Sequence, residues 1–298
     1  MHPIISTLLK RIGLGIISLF FVTLIIFSSV NLLPGDFVES VLGQTRTEES
    51  VRIFRKELGL DKPYYVRYVN WLTSAIKGDL GSTFSGRNAT YANQPQQNTA
   101  RSVSSLLKPR LFNTFFLAAM TALIAIPLSL LLGITTALYR NSIYDRTINA
   151  SALTTISMPE FFVAYILIIC LASINQFFPS LSNVTSSTPF LERIYLSVLP
   201  ALTLTLVTVA HMMRMTRASI INLLSSPYIE MAKLKGISKT QVIIKHALPN
   251  AWAPIANIIA FNLAYLIVGV VVVEVVFVYP GIGQLMVDSV IKRDIPVV

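Results

Sequence analysis

A chain of 298 residues that is 53% hydrophobic and only 13% charged has too little polar surface to close over a soluble core of that size. Its formal charge of +10 is spread over several loops, with no dense Lys/Arg stripe and no groove of interleaved aromatics, which excludes nucleic acid as a partner. The single cysteine, Cys170, excludes an intrachain disulfide.

The first apolar run, Ile12 to Leu33, has the ~20 helical residues needed to cross ~30 Å of hydrocarbon. It is longer than a signal-peptide core and lacks a small-x-small cleavage pattern, so it is expected to remain as a span. Residues 34–110 read as an extracytoplasmic insertion. Within it, Thr47-Glu48-Glu49 supplies an N-cap and an acidic first turn, Val51, Phe54 and Leu58 share one helical face, and Gly59 is a natural stop. A second amphipathic helix is expected from Pro63 to Lys77, with Tyr65, Tyr68, Leu72 and Ile76 on one side. Its aromatic residues Tyr64, Tyr65, Tyr68 and Trp71 either anchor it at the headgroup level or pack against the outer ends of the spans. From Ser85 to Ser105 the chain is rich in Gln, Asn, Ser and Thr and reads as a flexible insertion.

Four further spans are expected at Leu111 to Leu138, Thr147 to Ser173, Ile194 to Met213 and Ala251 to Val273. The fold class is therefore all-α and polytopic, with five transmembrane helices in this chain. Glu160 falls midway along the third span, directly after Met158-Pro159. A mid-bilayer carboxylate costs ~2.5–3.5 kcal/mol on insertion scales, so such a group faces either a cavity or a partner. Glu160 and Pro159 are thus candidates to line a translocation path, with a paired structural Glu as the alternative. Glu274, at the end of the fifth span, is a candidate for a gate or for packing.

Orientation follows from the basic residues. With the N-terminus in the cytoplasm, Lys10, Arg11, Arg140, Arg146, Arg214, Arg217 and the lysines of residues 233–245 all lie inside, and the outer loop between spans three and four keeps only Arg193.

Between spans four and five lies a charged, helix-forming island. Ser226-Pro227 is a good helix start, and Gly236 can take the left-handed conformation that ends the helix. Ser238-Lys-Thr-Gln241 reads as a capping box for a second helix, and Pro249 marks the end of that helix or a kink.

The order Glu230, Ala232, Gly236 and Leu248-Pro249 resembles the coupling loop of the membrane subunits of bacterial ABC importers, with Met231 in place of an alanine. Leu33-Pro-Gly-Asp36, Glu57-Leu-Gly-Leu-Asp61, Gly78-Asp-Leu-Gly81, Ser157-Met-Pro159, Val273-Glu-Val-Val-Phe277 and Pro280-Gly-Ile-Gly283 narrow the resemblance to the dipeptide/oligopeptide/nickel branch. The match runs through Arg293-Asp294.

That resemblance implies a type I importer permease fold, with a sixth helix expected beyond Val298. It divides the chain into a tip and first span (1–33), the insertion (34–110) and a permease core (111–298) that includes the coupling loop 214–250. It further implies a second homologous permease, two cytoplasmic ATP-binding subunits that use ATP and Mg, an extracytoplasmic solute-binding protein, and a place in the bacterial inner membrane. Tyr228, Glu230, Ala232, Lys233, Gly236, Leu248 and Pro249 would carry ATPase coupling. Peptides are the commonest cargo of the branch; nickel, sugars and opines are others.

No enzyme activity is expected of this chain, because it has no Gly-x4-Gly-Lys-Ser/Thr phosphate loop and no catalytic constellation. His2, His211 and His246 have no metal-ligand spacing, so no bound metal or cofactor is expected. The competing class is a secondary carrier or channel that works without ATP; such carriers often show internal repeats, and this chain has no clear one.

Overall fold

The computed structural model describes residues 3–32, 38, 48–84 and 101–298. The Leu33-Pro-Gly-Asp36 motif, the expected cap Thr47 and most of the polar insertion lie outside them, as do the side chains of Phe54, Glu57 and Lys233. The described residues are helical: α1 (Pro3–Leu32), α2 (Glu48–Glu57), α3 (Tyr64–Ile76), α4 (Val103–Leu138), α5 (Ile143–Ser157), α6 (Glu160–Leu167), α7 (Phe190–Leu224), α8 (Pro227–Leu234), α9 (Lys239–Gln241), α10 (Leu248–Val276) and α11 (Ile282–Ile291). Two π-wound segments, Ile168–Ile174 and Val242–Ala247, continue α6 and α9. Four helices are long and apolar enough to cross a membrane, and a bent pair, α5 with α6 and its π extension, makes a fifth span if counted as one.

The chain forms two compact units, Met1–Lys108 with Met286–Val298, and Pro109–Leu285. In the first, α3 packs on α1 through Tyr68. Its hydroxyl lies 3.0 Å from Thr23 Oγ1, and its ring meets Phe27 at 5.3 Å and stacks on Trp71 at 6.2 Å. Of the two roles open to these aromatics, Tyr68 takes packing, whereas Tyr64 and Tyr65 stay exposed. The expected apolar side of α3 is also revised, because Tyr65 and Ile76 point outward. Gly59 has φ +67° and stops the turn after α2. Val51, Leu58 and Leu60 pack with Val38, Phe84 and Ile295. Asp294 closes this cluster: its carboxylate accepts from the Thr83 hydroxyl and from the Phe84 amide at 2.8 Å.

In the second unit α7 is the central element, flanked by α4, α5, α6 and α10. Leu199, Leu204, Leu117, Ala164, Leu266 and Val273 share its core. A Cβ on Gly133 of α4 would stand 2.8 Å from Thr216 Cβ and 2.9 Å from the Met213 carbonyl of α7, so this crossing admits only glycine.

Further features depart from the sequence reading, among them α4, which starts at Val103 inside the stretch read as a flexible insertion. The third span is not continuous: α5 and α6 meet at 106°. Met158, with ψ 133°, is extended as the residue before a proline tends to be, and Pro159 opens a new helix by accepting from the Phe162 amide at 2.9 Å. Glu160 therefore sits in the first turn of α6, where the helix dipole favours an anion. The fourth span starts earlier than expected, at Phe190, so Arg193 belongs to the helix and is buried within it.

Gly133→Val should cost about 1–3 kcal/mol through overpacking, read as a lower thermal unfolding midpoint of the detergent-solubilised protein. Gly13→Val, where a Cβ meets nothing within 4 Å, should leave the midpoint in place, and equal shifts for both would contradict the close crossing.

Candidate functional site

The loop that joins α7 to α10 is built from its caps outward. The Ser226 carbonyl accepts from the Ile229 and Glu230 amides at 3.0 and 3.2 Å, and Pro227 occupies the first helical position of α8, where its missing N–H costs nothing. At the other end Gly236 has φ +77°. The Ile237 amide reaches back to the Ala232 carbonyl at 3.3 Å, the long bond of a Schellman cap, and Ile237 packs on the cluster that contains Ala232, the contact that accompanies such caps.

Beyond the turn, the Ser238 hydroxyl accepts from the Gln241 amide at 3.4 Å and its carbonyl from Val242 at 2.9 Å, so the cap forms as the sequence reading expected. The helix it starts is not a plain α-helix, because residues 242–247 are π-wound just before Pro249, which has no N–H to give to the ladder. Pro249 then lies in the first turn of α10, directly after the π-wound segment.

α8 has two faces. Ile229 and Ala232 are buried against Val242 and Ala247. Ala232 thus permits close approach by the second half of its own loop. The opposite face presents Tyr228, Met231 and Leu234, 43%, 59% and 79% exposed, beside the exposed Glu230 and Lys235. Three apolar residues at i, i+3 and i+6 form a bare ridge. Sequence reasoning treated Met231 only as a departure from a motif and missed Leu234; their spacing from Tyr228 was the available signal. Leu248 ties the loop to the bundle among Ile220, Leu224, Ala251 and Ile255.

At the far end of α7 and α10 lies a buried polar knot. Glu274 is fully buried; its Oε1 accepts from Thr114 Oγ1 at 2.7 Å and its Oε2 from the Gln284 amide at 3.2 Å. Thr114 accepts in turn from the Ile282 amide at 2.9 Å. A Cβ on Gly281 would collide with the Glu274 carboxyl, so glycine there makes room for the group. Beside it, Arg193 donates to Asn113 Oδ1 at 2.6 Å and to the Thr185 carbonyl at 2.7 Å, and stands 5.1 Å from the centre of the Phe112 ring. Asn113 Nδ2 donates to the Pro280 carbonyl at 2.8 Å. Burial pushes the Tyr279 phenol up to about 12, and it donates to the Asn113 carbonyl at 3.0 Å. Of the two roles open to Glu274, this geometry describes packing: the carboxyl holds α4, α10 and the start of α11 together.

Near the loop end, Arg217 of α7 grips Asp145 of α5 through two bonds of 2.8 Å. Neither Asp145 nor this pairing was visible in the sequence, because the partners are far apart in the chain. Glu160, half-buried, accepts a hydrogen bond from the Tyr265 hydroxyl of α10. The structure therefore leaves the candidate residues in three separate places: the α8 loop, the break at Pro159-Glu160, and the knot around Glu274.

A bundle of this kind, with a helical loop fixed between two long apolar helices, defines a multi-pass helical membrane protein. Residues 129–298 match the family described as binding-protein-dependent transport system inner membrane component, and residues 4–118 match its N-terminal counterpart. The glutathione transport system permease protein of Escherichia coli O6:H1 is 32% identical over 295 residues, covering 99% of this chain and 89% of the relative. A putative peptide transport system permease protein of Brucella abortus is 32% identical over 297 residues, covering 98% and 89%. The chain belongs to this family of inner-membrane permeases of ABC importers, in its peptide/oligopeptide branch. Such permeases work with ATPase and solute-binding partners.

Thr114→Val removes the donor to Glu274 and the acceptor for Ile282, and should lower stability by about 1–3 kcal/mol, whereas Thr114→Ser should stay near the parent. Thermal unfolding in detergent separates them, and equal losses would show that the hydroxyl is not what holds the knot.

Proposed function

We propose that this chain is one of two permease subunits of an ATP-driven importer of di- or oligopeptides. A homologous permease completes the path, two cytoplasmic ATPase subunits bind ATP and Mg beneath it, and an external binding protein delivers the solute. The N-terminus and the α8 loop face the cytoplasm, in line with the placement of Lys and Arg. The names of the glutathione and peptide transport relatives support the cargo class.

The observation that carries the coupling role is the bare ridge of Tyr228, Met231 and Leu234 on a helix whose other face and both ends are fixed. An exposed apolar ridge rimmed by charge is a surface made for a protein partner, and here it is held by the loop's own core instead of by a flexible tether. Glu230 adds a charge-assisted contact to a basic group of the ATPase. When ATP closes the ATPase pair, the two α8 helices approach; the displacement enters α7 and α10 directly, and the path opens outward. Hydrolysis reverses it, which is a two-state equilibrium biased at one site and read at another.

A β-branched residue at Gly236 must adopt a left-handed conformation that costs about 1–2 kcal/mol, and this tilts α8. Glu230→Lys with Gly236→Val should reduce peptide uptake by about tenfold or more while the protein still reaches the membrane at parental levels. Undiminished uptake by the double variant would contradict the coupling role, and purification of an active importer without any ATPase would contradict ATP drive.

A further inference from the structure

The exposed face of α5 carries a row of hydroxyls within the bent pair that counts as the fifth span. Thr147, Ser151, Thr154 and Ser157 are all exposed. The first three stand at i, i+4 and i+7, within about 60° of one face, and Ser157 lies at its rim. The opposite face, with Ile148, Ala152 and Ile156, is packed on Ala210 and Met213 of α7, so the hydroxyls point away from the bundle core.

Each of these hydroxyls spends its one hydrogen on the carbonyl four residues back: Ile143 at 2.8 Å, Thr147 at 3.0 Å, Ala150 at 3.0 Å and Leu153 at 2.8 Å. What they turn outward is lone pairs. The row therefore acts as a strip of acceptors about 15 Å long, and it ends at the break where Glu160 adds a carboxylate held by Tyr265. The break itself exposes non-helical backbone at Met158-Pro159. Non-helical backbone and a carboxylate within a span both require protein or water around them, not lipid.

We propose that this strip, with Glu160 at its end, is the solute-facing wall that this subunit contributes to the path, and that it selects solutes rich in N–H donors, above all the protonated amino terminus of a peptide. Tyr265 is a positioning residue: its hydroxyl fixes the carboxylate, and the ring is seated over Gly269, where an added Cβ would lie 3.0 Å from it. The assignment rests on the importer reading but makes a separate claim, that the α5 face is wetted and attracts cations.

The test uses the assembled importer in proteoliposomes, with Cys170→Ser as background and a single cysteine introduced by Ser151→Cys or Thr154→Cys. Labelling rates are measured with a cationic (trimethylammonium) and an anionic (sulfonate) methanethiosulfonate, each normalised to its rate with free cysteine, in resting and vanadate-trapped states. Both positions should react in at least one state, with the cation favoured about tenfold, the low end of what a charged cleft achieves. Glu160→Gln should bring that preference to about one. An assembled complex in which neither position reacts would show the face to be sealed by lipid or by the second permease, and an unchanged preference in Glu160→Gln would remove Glu160 from the wall; either result overturns the proposal. Loss of ATP-driven uptake with the labelling pattern intact would instead count against the importer reading and leave the wall standing.

Discussion

The second unit depends on one constraint: α7 must run unbroken through its centre. Its apolar window is 67% buried, the highest share among the four continuous spans, and without a hydrophobic effect between helices in lipid that burial is won by close packing and polar bonds. Gly133 lets α4 touch the α7 backbone, Arg217 binds α5 through Asp145, and Arg193 at the other end reaches the knot that includes Asn113 and Tyr279. A buried Arg at a helix end is costly unless it is well partnered. Here two carbonyl-type acceptors and an aromatic face serve it. The same helix leads into the loop that carries α8, so the proposed coupling would have a rigid element to act upon.

The sequence made the spans and the loop legible because both rest on local signals. Apolar length marks a span, and the Ser226-Pro227 start, the Gly236 turn and the Ser238 cap are each decided within a few residues. The broken third span was not legible in the same way. Hydropathy averages smoothly across Met158-Pro159, and Pro127, Pro200 and Pro254 sit inside continuous helices, so a proline alone does not announce a break. The polar knot and the Asp145–Arg217 pair were hidden for a different reason. Their partners come from separate helices, and a charge that looks like a loop marker, as Arg193 did, can be a buried tie. On α8 the sequence reading drew attention to Tyr228, Glu230, Ala232 and Gly236, whereas the bare face is completed by Met231 and Leu234. Ala232 and Gly236 build the shape of the loop, and Tyr228, Met231 and Leu234 form the surface it offers.

This separation of roles runs through the molecule. Buried polar groups, Glu274, Arg193 and Asp145, join helices, each through two or more hydrogen bonds. The exposed α5 hydroxyls have their donors satisfied and their lone pairs turned outward, and the half-buried Glu160 accepts from Tyr265. If the proposed wall is right, that difference separates structural polar groups from those that would meet the solute, since an unsaturated acceptor needs water or a ligand beside it. An importer needs both kinds: ties that keep each half rigid, and a wall that binds weakly enough for its cargo to leave.

The most direct measurement of the central claim, that force made by an ATPase enters through α8, is site-specific photocrosslinking from Leu234 in the intact complex, using benzoyl-phenylalanine in its place. The account predicts an adduct with an ATPase subunit whose yield changes between the ATP-bound and nucleotide-free states. Adducts with lipid alone, or none in a complex that retains both ATPase subunits, would contradict it.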